Sequence, residues 1–179
     1  MLFDFTKIAN LNGWEEQSDN VREVGMSKAA LVLQKTKIFQ RAVFFTMLNP
    51  QPNGAGFAGV RTETKLNLEG YSRFQIEMRG QGANSGYKIC LRHKGLNDEP
   101  HPTYEQKFMA PMGEFRTVEL PLDKFEPYYR GKKLDPSQVG YLDVKNITNF
   151  EFQIYGGVYS PIKQSGTSSL EINWVKAAH

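Results

Sequence analysis

The sequence predicts an all-β fold, a jelly-roll sandwich of two antiparallel sheets, and three observations predict it. Short stretches that alternate apolar and polar residues recur along the chain. Gly, Pro, Asn and Asp clusters separate them, roughly every eight to twelve residues. Almost no stretch carries helical spacing. An eight-stranded lipocalin-like barrel is the competing architecture.

Residues 73–92 show the pattern best. Phe74, Ile76 and Met78 alternate with Gln75, Glu77 and Arg79. Tyr87, Ile89 and Leu91 alternate with Lys88, Cys90 and Arg92. Side chains repeat with period two along a strand, so each strand has one apolar and one polar face. Gly80, Gly82, Asn84 and Ser85 supply a turn between them, and the expectation is a central hairpin.

The remaining elements follow in chain order. Residues 2–5 form a short strand, and Trp14 opens a polar loop. Residues 21–24 form another short strand. The apolar runs 29–34 and 42–48 are buried strands, joined across 35–40. NPQPNG (49–54) is a loop. Residues 57–64 form a strand in which Gly56 and Gly59 mark a close approach or a bend. Residues 94–102 are a polar loop, 104–109 and 115–120 are strands, and 121–134 are an irregular connection. Residues 135–138 start one helical turn. Phe150, Phe152 and Ile154 share one face of a strand at 148–155. Residues 156–166 are a loop. The last strand, 169–175, places Leu170, Ile172 and Trp174 together.

The 179 residues read as one domain, with 177–179 resembling a vector remnant. Hydrophobic content of 40% supports a sizeable core. The 12 Phe, 8 Tyr and 2 Trp suit β structure. A net charge of +3 with interspersed signs argues against nucleic acid as a partner. No apolar run reaches membrane-spanning length, and no signal or transit peptide opens the chain. Cys90 is the single cysteine, which excludes an internal disulfide. Asn146-Ile147-Thr148 fits a glycosylation acceptor.

If the alternating strands lie side by side, their polar sets form one wall. The candidate ligand-binding residues on it are Arg61, Glu77, Lys88, Arg92, Gln153 and Tyr155. Arg92 offers a forked donor, Glu77 an acceptor and Tyr155 a stacking surface. Such a wall suits a neutral polyol or a polar protein partner, and an ordinary solvated sheet face is the bland alternative. Loop aromatics (Trp14, Tyr71, Tyr104, Tyr128, Tyr129, Tyr155 and Tyr159) either cap the core or meet a ligand. Tyr128, Tyr129 and Arg130, beside Lys132 and Lys133, form a candidate partner loop.

Catalytic motifs are missing: there is no phosphate loop, nucleophile elbow or H-E-x-x-H. The sequence therefore reads as non-enzymatic, with no catalytic residue and no cofactor. Glu77 and Glu151 are a carboxylate pair only if their strands are neighbours. His93 and His101 flank Asp98 and Glu99, in a spacing that matches no metal pattern. Structural calcium, common in sandwich folds, remains compatible with the loop acids, without assignable ligands.

Several strings together resemble the complex I intermediate-associated protein 30 family over nearly the whole chain. They are SDNVREVGMSKA (18–29), GAGFAGVRT (54–62), RGQG followed by YKICLR, LPLDKFEPYYRGKKL (120–134), FEFQIYGG and LEINWVKA. Arg22 to Met26 and Gln81 depart from the family pattern, which has Val-Met-Gly-Gly and Asp there. The resemblance implies a galactose-binding-like jelly roll, related in shape to carbohydrate-binding modules. It implies a non-catalytic scaffold or chaperone-like assembly factor, located in mitochondria. A secreted carbohydrate-binding module is the alternative.

Overall fold

The computed structural model describes residues 1–21, 25–52, 56–157 and 160–179. In chain order its strands are β1 (Phe3–Asp4), β2 (Trp14–Glu16), β3 (Lys28–Lys35), β4 (Gln40–Leu48), β5 (Phe57–Leu66), β6 (Arg73–Gly82), β7 (Gly86–His93), β8 (Thr103–Met109), β9 (Arg116–Pro121), β10 (Glu126–Tyr129), β11 (Lys132–Lys133), β12 (Ile147–Tyr155) and β13 (Gly166–Ala178). Among the described residues one α-helical turn, α1 (Pro136–Val139), starts where expected, with the Asp135 carboxylate accepting from the Ser137 N–H.

The strands form two antiparallel sheets. The first runs β3-β4-β13-β6-β9, with β1 also paired to β13. The second runs β11-β10-β8-β7-β12-β5-β2. The inward sets of both meet in one apolar cluster. Phe74, Ile76, Met78, Ile89, Leu91, Phe150, Phe152, Ile154, Leu170 and Ile172 are each fully buried there. Burying each such side chain contributes about 1.5–3 kcal/mol against exposure. The architecture is the expected sandwich and not the barrel.

The central hairpin is the main correction. β6 belongs to the first sheet and β7 to the second, so the chain between them is an arch and not a hairpin. Alternation cannot separate the two, because either arrangement sends Phe74 and Ile89 into the same core. The arch is held locally. The Asn84 side chain donates to Ser165 O and Ser168 Oγ, and the Ala83 N–H donates to Thr167 O. Gly82 has φ +100°, and a Cβ there would lie 2.7 Å from Thr167 O, so only glycine fits without strain.

Other expectations shift for similar reasons. Trp14 starts β2 instead of a loop, and its ring packs on Phe3, Phe150 and Phe152. Residues 121–134 contain the paired strands β10 and β11. A bulge between Ile172 and Trp174 sends Val175 into the core and Trp174 outward. Asp19–Val21 is a 3-10 turn, and the rest of the strand expected at 21–24 lies outside the described residues, as do Gly54 and Tyr159.

Candidate functional site

The pairing register assigns the outer face of the second sheet residue by residue. One row crosses it as Glu15, Arg61, Glu151, Cys90, Glu105 and Glu126. The next holds Gly59, Gln153, Lys88 and Lys107. Tyr155 follows Gln153 at one end of the face, and Asn149 and Arg92 form the row beyond Glu151. At β10, Tyr128 stands beside Thr103 and Lys133. With strands about 4.8 Å apart, the six strands of the first row carry the patch across roughly 24 Å.

The structure brings Arg61, Lys88, Arg92, Gln153 and Tyr155 onto this face. It does not bring Glu77, which lies on β6 in the first sheet, opposite Trp174, and accepts from Asn173 Nδ2 at 2.8 Å. Gln75 and Arg79 go with it, bonding to Glu119 and Glu171. The shared wall therefore loses β6 and gains β8. Glu105 and Lys107 stand on this face, and the alternation in TYEQKFM is the sequence signal for them. The Glu77–Glu151 pair does not exist, because the two carboxylates face away from each other across the sandwich.

Most charges on this face are already matched. Lys88 Nζ donates to Glu105 Oε1 at 2.7 Å, and both residues are buried. Burial works against the ammonium, but Glu105 beside it outweighs that and holds the Lys88 pKa above its ordinary value. Arg61 donates to Glu15 at 3.1 Å, to Asn97 O at 2.9 Å and to Asp98 at 3.0 Å, so it clamps the 94–102 loop across the edge of the face. Arg92 donates to His101 O at 3.2 Å, while its buried Nε has no partner among the described residues. Lys107 lies over the Tyr155 ring at 4.7 Å from the centroid.

Glu151 is the exception. It is 3% exposed, and its carboxylate accepts from Gln153 Nε2 at 2.6 Å. Burial pushes its pKa up to about 7, against the Gln153 hydrogen bond and the Arg92 charge that favour the ionised form. Gly59 makes room for it: a Cβ there would lie 2.6 Å from Glu151 Oε2. Cys90, between Glu151 and Glu105, is held a neutral thiol by burial and by those two acids.

The expected partner loop is the β10–β11 turn. Tyr128 reaches the outer face, and Arg130 forks onto Glu99 at 2.9 and 3.2 Å, tying the turn to the 94–102 loop. His93, His101, Asp98 and Glu99 do not converge. The His93 ring packs on Tyr104 and accepts from the Asp143 N–H, while Asp98 and Glu99 serve Arg61 and Arg130. Among the described residues no group of three His, Cys, Asp or Glu side chains is placed to hold a metal ion.

The outer face of the first sheet differs in kind. Val32, Phe45 and Met47 are 41%, 49% and 47% exposed on the adjacent strands β3 and β4. Ala30 pairs with Phe45, and a depression of about 540 Å³ runs from these residues to Gln81 and Thr167. The strip is apolar and solvent-facing, with Lys28 beside Met47 at one end and Arg41, Arg79 and Gln81 converging on Glu171 at its far side. No helix among the described residues is long and apolar enough to cross a membrane.

Among solved structures the chain is similar to a family 11 carbohydrate-binding module of a cellulosomal cellulase of Clostridium thermocellum. The identity is 14%, covering 99% of this chain and 93% of that one, with a TM-score of 0.68. The same module in complex with a β-1,3-1,4-mixed-linked tetrasaccharide gives 15% identity, 99% and 94% coverage and a TM-score of 0.68. A family 30 module from that organism gives 10%, 99% and 98%, with a TM-score of 0.60. At these identities the likeness establishes the jelly-roll fold. No curated protein matches. The profile of complex I intermediate-associated protein 30 matches residues 3–172, and the chain belongs to that family.

Proposed function

We propose that this chain is a non-catalytic binding domain that acts as a protein-binding scaffold of the assembly-factor kind. The observation that carries the reading is the exposed strip of Val32, Phe45 and Met47. A contiguous apolar patch on a monomer is unfavourable in water and favours a protein partner that covers it. Family membership supports this reading, in which the partner is an intermediate of respiratory complex I and the location is mitochondrial. Affinity capture from mitochondrial extract tests this. Complex I subunits should co-purify with the wild-type chain and be lost with a Phe45→Ser, Met47→Ser double variant. Capture unchanged by the double variant, or without those subunits, refutes it.

A second reading, a secreted carbohydrate-binding module, rests on the second sheet's outer face. Gln153, Arg92 and Lys107 offer hydrogen bonds there, beside the Tyr155 ring over which Lys107 lies. The whole-chain likeness to carbohydrate-binding modules supports it. Neither tryptophan reports on that face, since Trp14 packs inward and Trp174 is on the opposite sheet. The test is therefore a glycan array followed by NMR titration of Gln153 and Tyr155, and an array without hits removes the reading.

A further inference from the structure

A third surface lies at one end of the sandwich and belongs to neither face. Three segments enclose a cleft of about 720 Å³, within the range of ligand pockets: 71–73 entering β6, 121–125 between β9 and β10, and 141–144 before β12. Leu122 and Phe125, each 7% exposed, form its base. Tyr71 and Tyr141, 41% and 72% exposed, stand on its rim.

The walls are preformed. Leu122 N–H donates to Ser72 O, Leu68 N–H to Val144 O, and Tyr71 N–H to Leu68 O. A site already held in place loses little conformational entropy on binding. The rim charges are unequal. Arg73 is occupied by Glu119 at 2.5 Å, whereas Asp123 has no ion pair among the described residues.

We propose that this cleft binds a proline-rich peptide segment that carries a basic residue. An extended polyproline helix has no internal hydrogen bonds and offers ring faces that fit aromatic-lined grooves. The apolar base disfavours a sugar, whose hydroxyls would be desolvated against Leu122 and Phe125 without partners. Asp123 selects a cation over an anion.

The probe is a fluorescein-labelled peptide of Pro-Pro-Arg repeats, followed by anisotropy and by NMR shifts of the whole chain. It should bind saturably below about 1 mM. Tyr141→Ala should weaken binding roughly tenfold, as loss of an aromatic anchor does, with the melting temperature unchanged. Asp123→Asn should weaken it and remove its salt dependence. Peptides of Pro-Pro-Glu repeats and glucan oligosaccharides should leave the cleft resonances in place. The proposal is overturned if the arginine peptide fails to saturate, if both substitutions leave its affinity intact, or if the glutamate peptide or a glucan binds there instead. Its failure leaves the scaffold reading intact, because the Phe45 and Met47 strip lies elsewhere.

Discussion

Replacing Glu151 with Gln is the most informative single change. The carboxyl is buried, with its pKa raised from 4.5 to about 7. The folded state therefore holds the proton more tightly than the unfolded chain does. For such an acid, stability is greatest below pH 4.5 and falls as pH rises through 7. The difference of about 2.5 pH units corresponds to roughly 3 kcal/mol lost between pH 4.5 and pH 8. For a chain of this size that is a fall of about 6–12 °C in Tm.

Glu151→Gln keeps the shape and removes the titration, so this pH-dependent loss should vanish in the variant. His93 moves the other way: burial and Lys94 lower its pKa, and it destabilises the fold as pH falls through about 6.5. Its contribution is common to both proteins and cancels in the difference. The assay is thermal unfolding of both proteins from pH 5 to pH 8.5. The difference in Tm should grow with pH and level off above 7. Parallel melting profiles would refute the reasoning, by showing that water or a rearranged Arg92 keeps Glu151 ionised.

Lys88→Met should destabilise by about 3–5 kcal/mol in urea titrations, because it leaves Glu105 buried without its cation. Replacing Lys88 and Glu105 together by apolar residues should recover most of that loss. Gly59→Ala should cost about 1–3 kcal/mol, since its Cβ meets Glu151 Oε2 at 2.6 Å and Phe152 O at 2.9 Å; in the Glu151→Ala background the cost should drop. Asp19→Ala should destabilise by about 1–3 kcal/mol, because the buried Ser27 N–H and the Phe57 N–H both donate to its carboxylate.

The sandwich was legible because alternation reports one thing well, which side of a strand is buried. Phe150, Phe152 and Ile154 are read that way and are fully buried. Alternation does not report which strand lies beside which. Glu77 and Lys88 sit eleven residues apart on strands of equal amphipathicity, yet the arch at Gly82 places them on opposite outer surfaces. What decides it is tertiary: Asn84 meets Ser165 and Ser168, about eighty residues later in sequence. Trp174 was misplaced because a bulge moves the period by one residue, and a single β-bulge has no reliable sequence mark. Glu105 could have been found, since Thr103, Glu105 and Lys107 alternate as Lys88 and Arg92 do. Its burial on an outward face could not, because that depends on pairing with Lys88.

The three surfaces differ in how they meet salt, and this separates their readings. On the second sheet, Lys88 is paired with Glu105 and Arg61 with Glu15 and Asp98. A face with matched charges offers a ligand little net Coulomb attraction, so selection there rests on shape and hydrogen-bond geometry. The Val32, Phe45 and Met47 strip carries no charge of its own, Lys28 at its end being paired with Glu16, and covering it should give a negative heat-capacity change with affinity only weakly dependent on ionic strength. The end cleft has one unmatched carboxylate, and binding of a cation there should weaken as salt rises from about 0.01 M to 0.15 M, where the screening length falls from about 30 Å to 8 Å. A salt series on any partner that is found therefore identifies the surface it uses before mutagenesis begins. Strong salt dependence in a partner lost on changing Phe45 and Met47 would mean that the neighbouring arginines at Glu171 take part, and that the strip alone does not define the interface.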